Sequence, residues 1–294
     1  MTAKGETRAR VRLERLSTLW FNTGTLCNIT CAGCYIESSP TNDALVYLAP
    51  QDMAPFLAEV APGVEIGFTG GEPFLNPHII ALMEMALVRG HRALVLTNAM
   101  APMMRPRVQA GLLALRATYG DAMTLRVSLD SPDAALHDVE RGAGSFAATV
   151  RGLDWLAEHG FKAAIAGRLW GRTEDGLRAA YARLAADRGW SINADDPSSL
   201  VLFPEMDAHA DVPEITTACW GILHKSPGDV MCASSRMIVK RRGEAAPRVV
   251  ACTLLPYDPR FDLGPTLADA AREVALNHPH CAKFCVLGGG KCAA

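Results

Sequence analysis

The cysteines of this chain stand in two separate groups. Cys27, Cys31 and Cys34 fall within eight residues, none follows for 184 residues, and Cys219, Cys232, Cys252, Cys281, Cys285 and Cys292 occupy the last 76. An odd total of nine, with no secretion signal ahead of it, does not make a disulfide framework, because the cytosol keeps thiols reduced. Metal ligation is the leading use, and each end of the chain is expected to build its own centre. The opening stretch MTAKGETRARVRLERL carries charge where a signal peptide is apolar. No apolar run reaches the roughly 20 residues that span a bilayer. A cytoplasmic protein with no membrane partner is therefore expected. A formal charge of -2 and the lack of a long basic block argue against a nucleic-acid partner held through its phosphates.

Between the two cysteine groups, short apolar runs alternate with segments of helical period, the pattern of repeated βα units on a parallel sheet. Six strands are expected, over 16–21, 64–68, 93–97, 124–129, 162–166 and 200–203. Asn76-Pro77 supplies a cap and a first-turn proline for a helix carrying Ile79, Ile80, Met83 and Leu87 and closed by Gly90. A second helix starts at Ser145, sets Phe146, Val150, Leu153 and Ala157 on one face, and stops at Gly160. Met83 and Met85 read as adaptable core filler. After about Pro204 the alternation is lost, and Pro, Gly, Asp and Cys become frequent. Runs over 235–240 and 248–251 flank Arg242-Gly243-Glu244 and predict a hairpin. The expected organisation is a basic tail over 1–14, an α/β unit over 15–205, and a cysteine-rich α+β extension over 206–294.

Cys27-x3-Cys31-x2-Cys34 follows the first predicted strand directly, and α/β barrels carry their chemistry on loops at the C-terminal strand ends. Three thiolates at this spacing can cap an iron-sulfur cube while leaving its fourth iron without a protein ligand. An open metal position marks a catalytic site, a rule best documented for zinc. Zinc or unligated core cysteines are the competing readings. Zinc sites usually take four N/S ligands, and the nearest histidine, His78, is far along the chain. A second motif, Gly67-Phe68-Thr69-Gly70-Gly71-Glu72-Pro73, falls one βα unit later. Its paired glycines let the backbone approach a ligand, and carbonyls beside a carboxylate suit an ammonium group.

CNITCAGC followed by GGEP resembles the signature of the radical S-adenosylmethionine (SAM) superfamily. The resemblance implies a partial (β/α)6 TIM-type barrel over about 15–205, with a 4Fe-4S cluster on Cys27, Cys31 and Cys34 and SAM as cofactor. It implies that Gly70, Gly71, Glu72 and Pro73 hold the methionine amino group. Thr97, Asn98, Ser128 and Asp130, at the ends of the third and fourth strands, would meet the ribose and carboxylate, and Arg168 would pair with the carboxylate. Many members carry an aromatic residue before the third cysteine, whereas this chain has Gly33 there and Tyr35 after it. Adenine contact then falls to the loop backbone at Gly33 and to Tyr35, without a stacking ring at position 33. The implied chemistry is reductive cleavage of SAM to a 5'-deoxyadenosyl radical that abstracts hydrogen from a substrate. An external one-electron reductant of flavodoxin or ferredoxin type would supply the electron. The rival reading is a non-catalytic iron-sulfur electron carrier or a zinc-stabilised binding module.

Cys232 and Cys252 bracket the predicted hairpin, and Cys281-x3-Cys285 follows, so two pairs can converge on one centre. This resembles the auxiliary-cluster twitch or SPASM extension of some superfamily members, although the spacings differ. Cys292 is a possible substitute for one of the four, and Cys219 reads as a buried thiol. Six cysteines are one fewer than a full two-cluster SPASM domain carries, so one auxiliary cluster is expected, with a net oxidative outcome. His278 and His280 keep zinc open at this end. With only 26 residues before Cys27, too few for a peptide-recognition domain, a small molecule is favoured over a peptide as substrate. Glu37, Glu205 and Asp207 are candidate catalytic carboxylates, and Asp195 and Asp196 also fall near strand ends.

Overall fold

Each apolar run that separates the two cysteine groups becomes a strand in the computed structural model, which describes residues 1–205, 207, 209 and 211–290. The strands are β1 (Thr18–Asn22), β2 (Glu65–Thr69), β3 (Arg92–Thr97), β4 (Met123–Ser128), β5 (Ala163–Arg168) and β6 (Leu200–Phe203). They pair in sequence order and all run parallel. Every strand lies within two residues of its expected position. Helices α1 (Pro50–Ala58), α2 (Ile79–Leu87), α3 (Pro106–Tyr119), α4 (Ala134–Arg141), α5 (Ser145–Glu158) and α6 (Glu174–Arg188) provide the crossovers. Leu19, Trp20, Phe21, Ile66, Phe68, Val95, Leu125, Val127 and Ile165 are fully buried, as strands covered on both faces require. This is the expected α/β architecture, a partial TIM-type barrel whose sheet stays open.

The two helices with legible start signals differ at one end. Helix α5 begins at Ser145 as predicted, with Val150 and Leu153 buried and Phe146 and Ala157 against the core. Helix α2 begins two residues after Pro77, with His78 at its N-cap. The Asn76 side chain accepts from the His78 amide at 2.8 Å and donates to the Thr23 and Leu48 carbonyls, each at 2.9 Å. Its geometry is thus set by the tie to the loop after β1 rather than by helix capping alone. Met83 is fully buried and Met85 packs against the core.

Beyond β6 the predicted hairpin is present. Strand β7 (Ser235–Val239) pairs antiparallel with β8 (Arg248–Val250), and β9 (Asp262–Gly264) continues antiparallel through a bulge. Strand β7 also pairs in parallel with β1, on the side away from β2, with Trp20 opposite Met237. The extension therefore lengthens the barrel sheet to nine strands, in the order β9-β8-β7-β1-β2-β3-β4-β5-β6. Arg10–Val11 pairs with Val274–Ala275, tying the N-terminal segment to the extension. Cys281–Leu287 forms a π-helical turn, a wide-turn geometry often found at functional sites.

Candidate active site and auxiliary metal site

The loop carrying Cys27, Cys31 and Cys34 leaves the C-terminal end of β1, and the Gly70-Gly71 loop leaves β2 beside it. The two loops are zipped through their backbones: Gly71 N–H donates to Gly24 O at 2.8 Å, and Glu72 N–H to Leu26 O at 3.1 Å. Gly70 has φ +142°, and a Cβ there would lie 2.4 Å from Gly24 O. A Cβ on Gly71 would lie 2.2 Å from Leu26 O. Both glycines are required by close packing against the cysteine loop, whatever they present to a ligand.

A cavity of about 140 Å³ opens where these loops meet the ends of β3, β4 and β5. Of the residues singled out in the sequence, Cys27, Cys31, Gly33, Cys34, Tyr35, Gly70, Gly71, Thr97, Asn98, Ser128, Asp130 and Arg168 line it. The structure does not bring Glu72 or Pro73 to its wall. Glu72 is 2% exposed and lies beneath the loop, where its carboxylate accepts from Thr97 Oγ1 and from the Asn98 amide, both at 2.8 Å, and from the Phe74 amide at 3.2 Å. Burial pushes its pKa up to about 7 despite these three donors. Glu37, Glu205, Asp207 and Asp195 are exposed and outside the lining, as is the half-buried Asp196. Asn98 extends Nδ2 to 2.9 Å from Asn28 Oδ1 and 3.9 Å from Cys27 Sγ. Burial raises the Cys27 thiol to about 12 and also raises that of Cys31. A metal held by these thiols would have to displace their protons.

Three charged residues of the site were missed in the sequence. Helix α4 ends in Glu140-Arg141, and Arg141 Nε donates to Asp130 Oδ2 at 2.5 Å. Arg168 brings Nη2 to 2.9 Å from Glu140 Oε1 and Nε to 3.5 Å from Asp130 Oδ1. Burial pushes the Asp130 carboxyl up, but the charge and hydrogen bond of Arg141, then Arg168, outweigh it and hold the carboxyl below its ordinary range. Arg126, 3% exposed on β4, also lines the cavity. The available signal for Arg126 was a cation inside the apolar run of a strand buried on both faces. For Glu140 and Arg141 there was none, since an acidic and basic pair at a helix end reads as solvated surface. With Arg126, Arg141 and Arg168 facing one cavity, the site suits an anionic group on its ligand.

A second, smaller cavity of about 20 Å³ is lined by Cys232, Cys252, Cys281 and Cys285, with apolar walls that include Leu254 and Phe261. The segments that bracket the hairpin supply the first two thiols, Cys232 just before β7 and Cys252 just after β8, and the π-helical turn supplies the other two. Burial raises Cys232 to about 12 and Cys281 to about 11. His280 faces the same cavity with its Nδ1 buried and without a hydrogen-bond partner. His278 stands apart from the lining and accepts the His280 amide on Nδ1 at 3.1 Å. Cys219 is outside both cavities, its Sγ 3.3 Å from the Thr216 amide. Cys292 lies outside the described residues. No described cysteine is in a disulfide, and no three His, Cys, Asp or Glu among the described residues converge to hold a single metal ion. Four thiols and an unpartnered imidazole nitrogen thus face one apolar space. No helix among the described residues is long and apolar enough to cross a membrane.

The chain is 31% identical over 141 residues to the antilisterial bacteriocin subtilosin biosynthesis protein AlbA of Bacillus subtilis (strain 168), covering 48% of this chain and 30% of that protein. It is 34% identical over 137 residues to the mycofactocin maturase MftC of Mycobacterium ulcerans (strain Agy99), covering 46% of this chain and 35% of that protein. These matches span about a third of the length of those curated relatives. Among solved structures, Streptococcus suis SuiB bound to S-adenosylmethionine superposes with a TM-score of 0.61 at 12% identity, covering 85% of this chain and 63% of that one. Native anSMEcpe with bound AdoMet gives 0.62 at 14% identity, covering 86% and 79%. At those identities the likeness is one of fold. Residues 21–175, more than half of the chain, match the Radical SAM superfamily, and the chain belongs to that superfamily of enzymes, whose cofactors are a 4Fe-4S cluster and S-adenosylmethionine.

Proposed function

We propose that Cys27, Cys31 and Cys34 hold the 4Fe-4S cluster and that the cavity beside them seats SAM, which is used to start radical chemistry on a substrate. The observation that carries this reading is that the three thiols, the Gly70-Gly71 backbone and the cations Arg141 and Arg168 line one cavity. When bound, the two cofactors supply reductive cleavage of the sulfonium to a 5'-deoxyadenosyl radical able to take hydrogen from unactivated carbon. Cys27, Cys31 and Cys34 would hold the cluster through three thiolates, and the cavity beside them would receive the methionine amino and carboxylate groups of SAM. Because the Glu72 carboxylate is engaged below the loop, the carbonyls of the β2 loop receive the ammonium, and Glu72 acts by fixing Thr97 and Asn98. Arg141 and Arg168 attract the carboxylate, Ser128 and Asp130 flank the ribose, and Gly33 and Tyr35 meet the adenine. Leu96, Ala166 and Phe203 add apolar walls that exclude water.

On this reading residues 206–294 form an auxiliary domain in which Cys232, Cys252, Cys281 and Cys285 fill all four positions of a second cluster. With no position left for substrate, that end contributes electron transfer, and the net outcome is oxidative. A flavodoxin- or ferredoxin-type protein primes the enzyme. A peptide substrate gains support over a small molecule from AlbA, a bacteriocin biosynthesis protein, and from SuiB and anSMEcpe, which were solved with peptides bound.

The test is anaerobic reconstitution with iron and sulfide, followed by SAM and a one-electron reductant. The expected product is 5'-deoxyadenosine, and Cys31→Ala should abolish it while about half of the iron is retained. An electron carrier or zinc module would yield none from the wild-type chain. Formation at the wild-type rate in Cys31→Ala would show that this thiol does not hold the cluster.

A further inference from the structure

Arg236 is a fully buried cation without a carboxylate partner among the described residues. It lies in β7, four residues after Cys232, and is 0% exposed. Its Nε donates to Ala270 O at 2.8 Å, and its Nη1 donates to Cys232 O at 2.5 Å and to Ser235 O at 2.8 Å. Its Nη2 is buried with no hydrogen-bond partner. Arg236 enters none of the ion pairs among the described residues. The acidic groups whose charge reaches it are the thiols of Cys232 and Cys252, two of the four that line the second cavity.

A guanidinium stays charged in proteins, and burying one without an anion is costly enough that such residues are normally paired. Among the described residues no carboxylate does the pairing. Four thiolates around a 4Fe-4S core carry a net negative charge that grows by one unit on reduction, and they would stand where the compensating charge is needed. We infer that Arg236 is the built-in counterion of the auxiliary cluster, placed behind Cys232 and Cys252 to favour its reduced form. This rests on the reading of Cys232, Cys252, Cys281 and Cys285 as cluster ligands. Arg236 is a positioning and tuning residue, since it stands outside the lining of the cavity.

The test uses the full chain carrying Cys31→Ala, in which the auxiliary cluster is the one redox centre, reconstituted and titrated with mediators while the reduced-cluster EPR signal is followed. Arg236→Gln should lower the equilibrium constant for reduction about tenfold, a shift of about 59 mV to more negative potential for one electron. Arg236→Lys, which keeps the charge, should stay within about threefold of the parent. Equal potentials in the parent and in Arg236→Gln overturn the inference. If Arg236→Gln fails to load a cluster, iron analysis decides: loading by Arg236→Lys alone supports a charge role, and equal loss in both variants marks a structural hydrogen-bonding role and overturns it. A Cys31→Ala parent with no redox-active iron overturns the cluster reading itself, and this inference with it.

Discussion

Glu140 and Arg168 meet 2.9 Å apart across Gly33 and hold both of its backbone groups. The Gly33 amide donates to Glu140 Oε1 at 2.6 Å, and Arg168 Nη2 donates to Gly33 O at 3.1 Å. A Cβ at position 33 would lie 2.6 Å from Arg168 Nη1 and 2.8 Å from Glu140 Oε1. The absence of an aromatic residue before the third cysteine thus has a local cause: an ion pair occupies the space its ring would need.

Gly33→Phe should therefore open the pair and displace the loop between Cys31 and Cys34. Loss of about 1.4 kcal/mol of binding corresponds to about tenfold weaker SAM affinity. Equilibrium binding of SAM to the reconstituted protein measures this, with far-UV circular dichroism expected to match wild type. Wild-type affinity in the variant would show that the pair yields without consequence for the site.

Glu72 gives the fold a pH dependence of definite sign. Its folded pKa of about 7 lies above its ordinary value of 4.5, because burial outweighs its three donors. The native state therefore binds the extra proton, and stability from this group is fully present below pH 4.5 and lost as pH rises through about 7. The span is on the order of 3 kcal/mol. Urea unfolding between pH 4.5 and 7.5 should show this decline in the cluster-free protein, and Glu72→Gln should flatten it. An unchanged slope in the variant would place the titration elsewhere.

The six parallel strands were legible because each reads as a short apolar run bounded by turn residues, five of them in the interior of the sheet and the last, Leu200–Phe203, at its edge with only Leu200 buried. The three early thiols and the paired glycines were legible because the two motifs stand one βα unit apart, each directly after a strand. Glu72 belonged to a recognised segment, but its carboxylate turns toward Thr97 and Asn98, a direction set by contacts 25 and 26 residues away in the chain. Glu140 and Arg141 were invisible for the same reason, since their burial comes from packing against the cysteine loop and β5. The joining of β7 to β1 was also beyond local reading. A parallel pairing across more than 200 residues leaves no mark in periodicity.

That long-range pairing brings the extension against the first cysteine loop, where Tyr257 makes a contact. Its hydroxyl donates to Ile36 O at 2.9 Å, and Asn42 Nδ2, which also donates to Glu37 O at 2.8 Å, approaches the same hydroxyl at 3.5 Å. Ile36 lies between Cys34 and Ser38, whose amide is 3.3 Å from Cys34 Sγ. Tyr257→Phe keeps the ring and removes one hydrogen bond, at a cost of about 1 kcal/mol. Because the bond joins two loops rather than the sheet, the loss should appear as local opening. Hydrogen exchange over 36–39 should quicken about fivefold while amides of β2 to β5 keep wild-type rates. Uniform acceleration across the sheet would mean that Tyr257 supports the whole fold, and no change at 36–39 would mean that the loop is held without Tyr257, by Asn42 and by the bond from the Cys27 amide to Ser39 O.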